Sequence, residues 1–361
     1  MPRPPLPGGS HGSTAGSETV LIISKERTMA RIAPLLVLSL FAIPAAAAPP
    51  YDLALPVDCR PGTDCWLLRY VDHDPGPGVR DYMCGGLTGD GHKGTDIAIR
   101  DLAAMAAGVE VRAAAAGVVD ALRDGMPDVS VDDANRHTIE GKECGNGIRL
   151  AHGDGWTTWY CHLRRGSLLV EQGDPVTAGQ PLALVGLSGD TSFPHLHFDL
   201  RHGDDAIDPF GGPEPAAACG PGRQPLWAAD VMAQLSYRPV LLTNAGFAVA
   251  APNKEDVRRG WHQANELPVT SPALVLWAEG YWIEPRDRVR LRLLGPDGGA
   301  ILDQAFEIDE RRQRWLQFAG KPRPGERWQA GTYAGEIVLV RQAEAGATTA
   351  TIQRQVELVE P

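Results

Sequence analysis

Gly147-Ile-Arg-Leu-Ala-His-Gly-Asp-Gly-Trp-Thr-Thr-Trp-Tyr-Cys-His-Leu163 places two alternating runs on either side of Gly153-Asp-Gly155. Apolar and polar residues take turns in each run, as in a strand with one buried face, and an Asp-Gly turn between such runs signals a hairpin. Val109-Glu-Val-Arg112, Gly117-Val-Val-Asp-Ala-Leu122, Leu182-Ala-Leu-Val-Gly186 and His195-Leu-His-Phe-Asp-Leu200 extend the pattern on both sides, parted by glycine turns. No long helical period interrupts them, so residues 84–210 read as a mostly antiparallel β domain.

The rest of the chain frames this unit. Pro, Gly and Asp crowd residues 49–83, an extended lead-in stapled by cysteines, and residues 211–235 read as a linker with a short helix over Leu226 to Leu235. Residues 236–361 return to strands, among them Leu274-Val-Leu-Trp-Ala278, Val289-Arg-Leu-Arg-Leu-Leu294 and Tyr333-Ala-Gly-Glu-Ile-Val-Leu-Val340. Their regular spacing predicts an immunoglobulin-like β-sandwich. With one histidine, His262, and no cysteine, that unit offers no chemistry and reads as a packing or recognition module for cell wall or a protein partner.

At the other end, Met29-Ala-Arg31, the apolar run Ile32 to Ile43, Pro44 and the alanines to Ala48 have the order of a secretory signal peptide. The apolar run is short for a membrane span, so no stable span is expected once residues 29–48 are cleaved. Residues 1–28 then lie upstream of the expected start at Met29. Export suits the cysteines, which are even in number at six, and favours disulfides. Cys59 and Cys65 enclose a turn-rich loop and are expected to pair. For the other four, Cys144 and Cys161 flank one hairpin, which would leave Cys84 with Cys219, but the sequence does not decide between connectivities.

The chain is 361 residues long with a net charge of −11, a surface that repels phosphate backbones and argues against a nucleic-acid protein. It contains neither a P-loop nor a GxGxxG after a strand. Chemistry concentrates instead in the histidines, five of ten of which (His92, His152, His162, His195, His197) fall in segments that can converge. Gly91-His-Lys-Gly-Thr-Asp96 sets an imidazole and a carboxylate four apart, with Gly94 read as the residue that lets the chain bend. His195 and His197, two apart on a strand, project from one face. Imidazole and carboxylate donors are what a catalytic zinc takes, three from the protein with one place kept for water. Four candidates for three places mean that one of His195 and His197 stands behind the ligands.

These segments, His92-x-Gly-x-Asp96, Tyr160-x-His162-Leu and Gly186-x-Ser-Gly followed by Pro194-His-Leu-His-Phe198, resemble the lysostaphin-type zinc endopeptidases that cut peptidoglycan peptides. The resemblance covers roughly residues 80 to 210, with all three histidine motifs intact and in the family's order. It implies an antiparallel-sheet zinc peptidase domain of the duplicated hybrid motif type, Zn²⁺ as cofactor, and His92, Asp96 and His197 as its ligands. His162 and His195 are implied as the catalytic pair that does not bind metal. Cys161 and the long loop from Arg123 to Lys142 depart from the short Gram-positive enzymes. Peptide cross-links of peptidoglycan are the implied substrate, met in the periplasm or at the cell surface.

Two rivals remain. A catalytically inactive relative would regulate or scaffold wall hydrolases, and would be recognised by missing ligands; none is missing here. A biotinyl- or lipoyl-type carrier is suggested by Gly173-Asp-Pro-Val-Thr-Ala-Gly-Gln-Pro-Leu182, but that function needs a lysine at a hairpin tip and this region supplies none. Away from the candidate site, His152 reads as structural and His73 and His137 as solvated loop residues. Asp199 reads either as a support for a ligand imidazole or as an ion-pair partner of Arg201. Trp156 and Trp159 are core residues by default, with the groove as the other reading.

Overall fold

In a computed structural model the chain is described over residues 52–132, 135–214, 218–343 and 346–360; the expected signal peptide (29–48) and the segment before it lie outside these residues. The first half contains β1 (Cys65–Arg69), β2 (Thr95–Ile99), helix α1 (Leu102–Ala107), β3 (Glu110–Arg112), β4 (Gly117–Arg123), β5 (Asn146–Gly153), β6 (Trp156–Leu163), β7 (Pro175–Val176), β8 (Pro181–Leu184), β9 (His195–His202) and β10 (Asp205–Ala206). One antiparallel sheet runs β1-β2-β9-β6-β5-β4-β7 with β10 beside β9, and β3 pairs with β8 in a small second sheet. The hairpin read around Gly153-Asp-Gly155 is β5–β6, with Ile148 opposite Tyr160 and Leu150 opposite Thr158.

Period-two alternation gives this sheet two different faces. Ile97, Ile148, Leu150, Tyr160, Leu196, Phe198 and Leu200 are buried on one face and join Val111, Leu182, Leu226 and Trp227 in a common core. Each such side chain contributes about 1.5–3 kcal/mol when buried. The opposite face of the same strands carries Asp96, Trp159, Cys161, His195, His197 and Asp199. A slip of one residue in β9 would drive two imidazoles into the core, so core burial specifies the site's register. Three disulfides, Cys59–Cys65, Cys84–Cys219 and Cys144–Cys161, brace the unit. Part of the stretch read as lead-in is itself sheet, because β1 supplies the edge strand beside β2.

The second half continues with α2 (Ala229–Gln234), β11 (Leu241–Ala248), α3 (Lys254–Arg258), β12 (Glu266–Pro268), β13 (Ala273–Ile283), β14 (Arg288–Leu294), β15 (Ala300–Glu307), β16 (Arg312–Pro322), β17 (Gly331–Ala343) and β18 (Gly346–Val359). Two sheets, β11-β13-β16 and β12-β18-β17-β14-β15, face one another. Leu274, Leu276, Val289, Leu291, Leu293, Trp315, Ile337 and Leu339 fill the space between them as a separate core. The expected short helix is α2, and its Val231 packs into the first core, not the second. Where the halves meet, Trp66, Leu68 and Ala98 of β1 and β2 pack on Leu241 and Tyr281, so the sandwich covers one end of the site-bearing face.

His73 departs from its reading as a solvated loop residue. Its Nε2 lies 2.7 Å from Oδ2 of the buried Asp208, beside the stacked rings of Tyr82 and Phe210, whose centroids are 4.7 Å apart. The hydrogen bond to the Asp208 carboxylate raises the His73 pKa against the opposing effect of burial. A raised pKa means that the pair stabilises the fold fully below the unfolded histidine value of about 6.5 and loses that contribution as pH rises through the folded value. The stability lost in His73→Gln, read from denaturant midpoints, is therefore expected to be larger near pH 5.5 than near pH 8.5. An equal loss at both pH values would count against the ion pair.

Candidate metal centre

Register brings the motif residues together. Asp96 on β2 lies opposite His197 on β9, and His197 lies opposite Cys161 on β6; Ala98 lies opposite His195. His92 Nε2, an Asp96 carboxylate oxygen and a His197 ring nitrogen all fall within 4.8 Å of one another. Asp96 Oδ1 is 3.1 Å from His92 Nε2 and 2.9 Å from His197 Nδ1. Tetrahedral zinc with ligand bonds of 2.0–2.2 Å spaces its ligands about 3.3 Å apart, so both distances from Asp96 suit such an ion, and the His92 and His197 nitrogens lie within 4.8 Å of each other.

Backbone carbonyls orient the rings, and a carbonyl can only accept. His92 Nδ1 therefore donates to Tyr70 O at 2.8 Å, which turns its Nε2 toward Asp96. His162 Nδ1 donates to Ser188 O at 2.8 Å and His195 Nδ1 to Phe193 O at 3.0 Å. His162 sits at φ 63°, a left-handed backbone uncommon outside glycine. That conformation is held from both sides: its N–H donates to Cys144 O at 2.8 Å and its carbonyl accepts from Gly186 at 3.0 Å. The Cys144–Cys161 disulfide ties the same two loops, and the Gly186-x-Ser-Gly189 segment thereby places His162. His162 and His195 lie with ring centroids 4.6 Å apart, and His195 Nε2 is 3.4 Å from Asp96 Oδ1.

The electrostatics separate these groups. Burial alone would raise the Asp96 pKa, but the charges of His92 and His195 and the hydrogen bonds from His195 and His197 hold it well below the usual carboxylate range. Burial, with His195 and His197 close by, pushes the His162 pKa well below the ordinary histidine value, so His162 is neutral at neutral pH. The centre thus combines an ionised carboxylate and two oriented imidazoles with a neutral buried imidazole facing them. These groups line a cleft of about 620 Å³ that also includes Arg69, Lys93, Arg136, Glu143, Trp159, Asp190 and Arg201.

The other sequence readings resolve individually. His152 bridges Ala116 O (2.7 Å) and Thr158 Oγ1 (2.8 Å) and holds β-strands together away from the cleft. Asp199 takes the ion-pair role, 2.5 Å from Arg201 Nη2, and holds no ligand imidazole. Trp156 is buried, whereas Trp159 lines the cleft between the guanidinium groups of Arg149 and Arg201, each about 5 Å from its ring centroid (5.0 and 5.1 Å). Motif reading missed Tyr70, Phe193 and Arg69, whose roles depend on partners far along the chain. Gly94 lies at a bend, as read, and has a second role. A Cβ there would lie 2.6 Å from Phe198 O and 2.7 Å from His197 Nε2, so only hydrogen fits against that ring. Gly94→Ala is accordingly expected to fold but to bind zinc about 10–100-fold more weakly, the usual cost of disturbing a ligand's surroundings. A competition titration against a chromophoric chelator reads the change, and unaltered affinity would show that His197 is not constrained by this contact.

Residues 90–209 match the family model described as Peptidase family M23. The chain is 39% identical over 56 residues to the peptidoglycan DD-endopeptidase ShyA of Vibrio cholerae, covering 16% of this chain and 13% of that one. It is 43% identical over 62 residues to the murein hydrolase activator EnvC of Escherichia coli, covering 17% and 14%. Among solved structures, the catalytic domain of lysostaphin from Staphylococcus simulans is 25% identical with a TM-score of 0.26, over 39% of this chain and 85% of that one. The matched segments span from 12% to 65% of the lengths of the curated relatives.

Proposed function

Residues 90–209 form an M23 peptidase domain of the lysostaphin type, and from that premise we propose that the protein is a zinc-dependent endopeptidase hydrolysing peptide cross-links of bacterial peptidoglycan. The observation that carries this reading is the convergence of His92, Asp96 and His197 donor atoms within 4.8 Å, beside two further oriented imidazoles. His92 through Nε2, Asp96 through Oδ1 and His197 through Nδ1 would hold the ion. A zinc bound there supplies Lewis acidity toward a peptide carbonyl and lowers the pKa of water toward about 7.

The protein's own residues then manage the protons. His162 is neutral, with Nδ1–H committed to Ser188 O, so Nε2 is free to take a proton from water and return it to the amine that leaves. His195, its Nδ1–H committed to Phe193 O, directs Nε2 into the cleft, where in its imidazolium form it would donate to the oxygen on which negative charge develops. These roles are supported by the β2–β9–β6 register and by the carbonyls of Ser188 and Phe193, which hold the two rings beside the Asp96–His197 pair. A purely regulatory role requires none of these five residues, and the complete set favours the enzyme. Peptidoglycan lies outside the cytoplasm, and three disulfides with no free cysteine among the described residues accord with export.

His197→Ala is expected to abolish zinc binding. His162→Ala should keep zinc at wild-type stoichiometry and lose about 10²–10⁴ in rate. Metal analysis of both purified variants, with muropeptide profiles after digestion of sacculi, decides the assignment: zinc retained in His197→Ala would remove that residue from the ligand set.

A further inference from the structure

Four basic side chains line the cleft: Arg69, Lys93, Arg136 and Arg201. Two are neutralised in place, Arg136 by Asp190 at 2.7 Å and Arg201 by Asp199 at 2.5 Å. Among the described residues, no carboxylate pairs with Arg69 or Lys93. Lys93 is exposed, but Arg69 is half-buried and built into the wall. It lies on β1, upstream of the segment that matches the family model, so the family resemblance does not account for it.

A β-bulge aims it. Along β1, Cys65, Trp66 and Leu67 pair in step with Ile99, Ala98 and Ile97, and strict alternation would then carry Arg69 to the core face with Leu67. The register shifts between Leu67 and Arg69, so Arg69 comes opposite Asp96 and shares the face of the metal centre. The sandwich holds this irregularity. Trp282 Nε1 donates to the carbonyl of Leu68, the extra residue of the bulge, at 2.7 Å. Gln313 on β16, with its amide oxygen turned to β1, accepts from Arg69 Nε at 3.3 Å and from Nη2 at 2.8 Å. A neutral amide fixes the guanidinium without cancelling its charge. It takes the Nε–Nη2 edge, which leaves the Nη1–Nη2 end of the fork for a planar anion.

We propose that Arg69 is a specificity-determining residue that binds a free carboxylate of the peptide substrate, with Gln313 and Trp282 of the sandwich as its positioning residues. The proposal rests on the endopeptidase reading above and narrows its substrate class to peptides bearing a carboxylate within a residue or so of the bond cut. The sandwich on this view completes the cleft wall.

The test uses the full zinc-loaded chain and two wall-type peptides identical except that one carries the free carboxylate and the other its carboxamide. Wild type is expected to favour the carboxylate peptide by at least about tenfold in kcat/KM, mainly through KM, as loss of a charged hydrogen bond implies. Arg69→Gln should bring the ratio near one, and Arg69→Lys should restore part of it. Gln313→Glu, which sets a carboxylate of the protein on the guanidinium, should also reduce the ratio while zinc content stays at wild-type level. Equal kcat/KM for the two peptides in wild type overturns the proposal. So does an Arg69→Gln variant that retains the wild-type preference or loses activity equally on both. If wild type cuts neither peptide, the endopeptidase reading fails separately; calorimetric binding of the same two peptides then decides this one, supported by a carboxylate preference that Arg69→Gln abolishes and refuted by equal affinities.

Discussion

Antiparallel pairing of β2, β9 and β6 is the constraint on which the rest depends. It sets Asp96 against His197 and His197 against Cys161, while the residues between them, Ile97, Leu196, Phe198 and Tyr160, are almost wholly buried on the other face. Core and site are thus two faces of the same strands. The hydrophobic driving force that seats one face chooses the other, and functional geometry is maintained by contacts that involve no functional side chain.

Register alone would leave the imidazoles free to turn. Their orientation comes from carbonyls on separate loops, Tyr70 for His92, Ser188 for His162 and Phe193 for His195. Those loops must approach closely, and glycine makes room: a Cβ at Gly145 would lie 2.3 Å from Ser188 O, and one at Gly189 would lie 2.2 Å from Glu143 O. The left-handed His162 backbone, of a kind that costs on the order of 1–3 kcal/mol, persists because two backbone hydrogen bonds and the Cys144–Cys161 bridge determine it from both sides.

The sandwich takes part in the same economy of contacts. Phe193, whose carbonyl orients His195, stacks on that ring with centroids 4.4 Å apart and meets Tyr281 of β13 at 6.1 Å. Trp282 caps the bulge of β1. Two separate cores therefore share one boundary, and the boundary lies against the candidate metal centre, with Tyr281 and Trp282 of the sandwich's β13 packing into the first core and supporting groups it presents.

Alternation in the 147–163 hairpin, the glycine turns and the two-residue spacing of His195 and His197 made the β class and the shared face of the imidazoles legible from sequence, because strand period is a local property of the chain. The Cys59–Cys65 pair was legible for a similar reason, as a short loop leaves few alternatives. Tertiary structure alone decided that His73 pairs with Asp208 and that Asp199 binds Arg201 in preference to an imidazole. It also decided that Gly94 yields space to a ring and that a bulge turns Arg69 into the cleft. Each of these turns on which residues meet from distant parts of the chain, and side-chain partners chosen by long-range packing leave no periodic trace in the sequence.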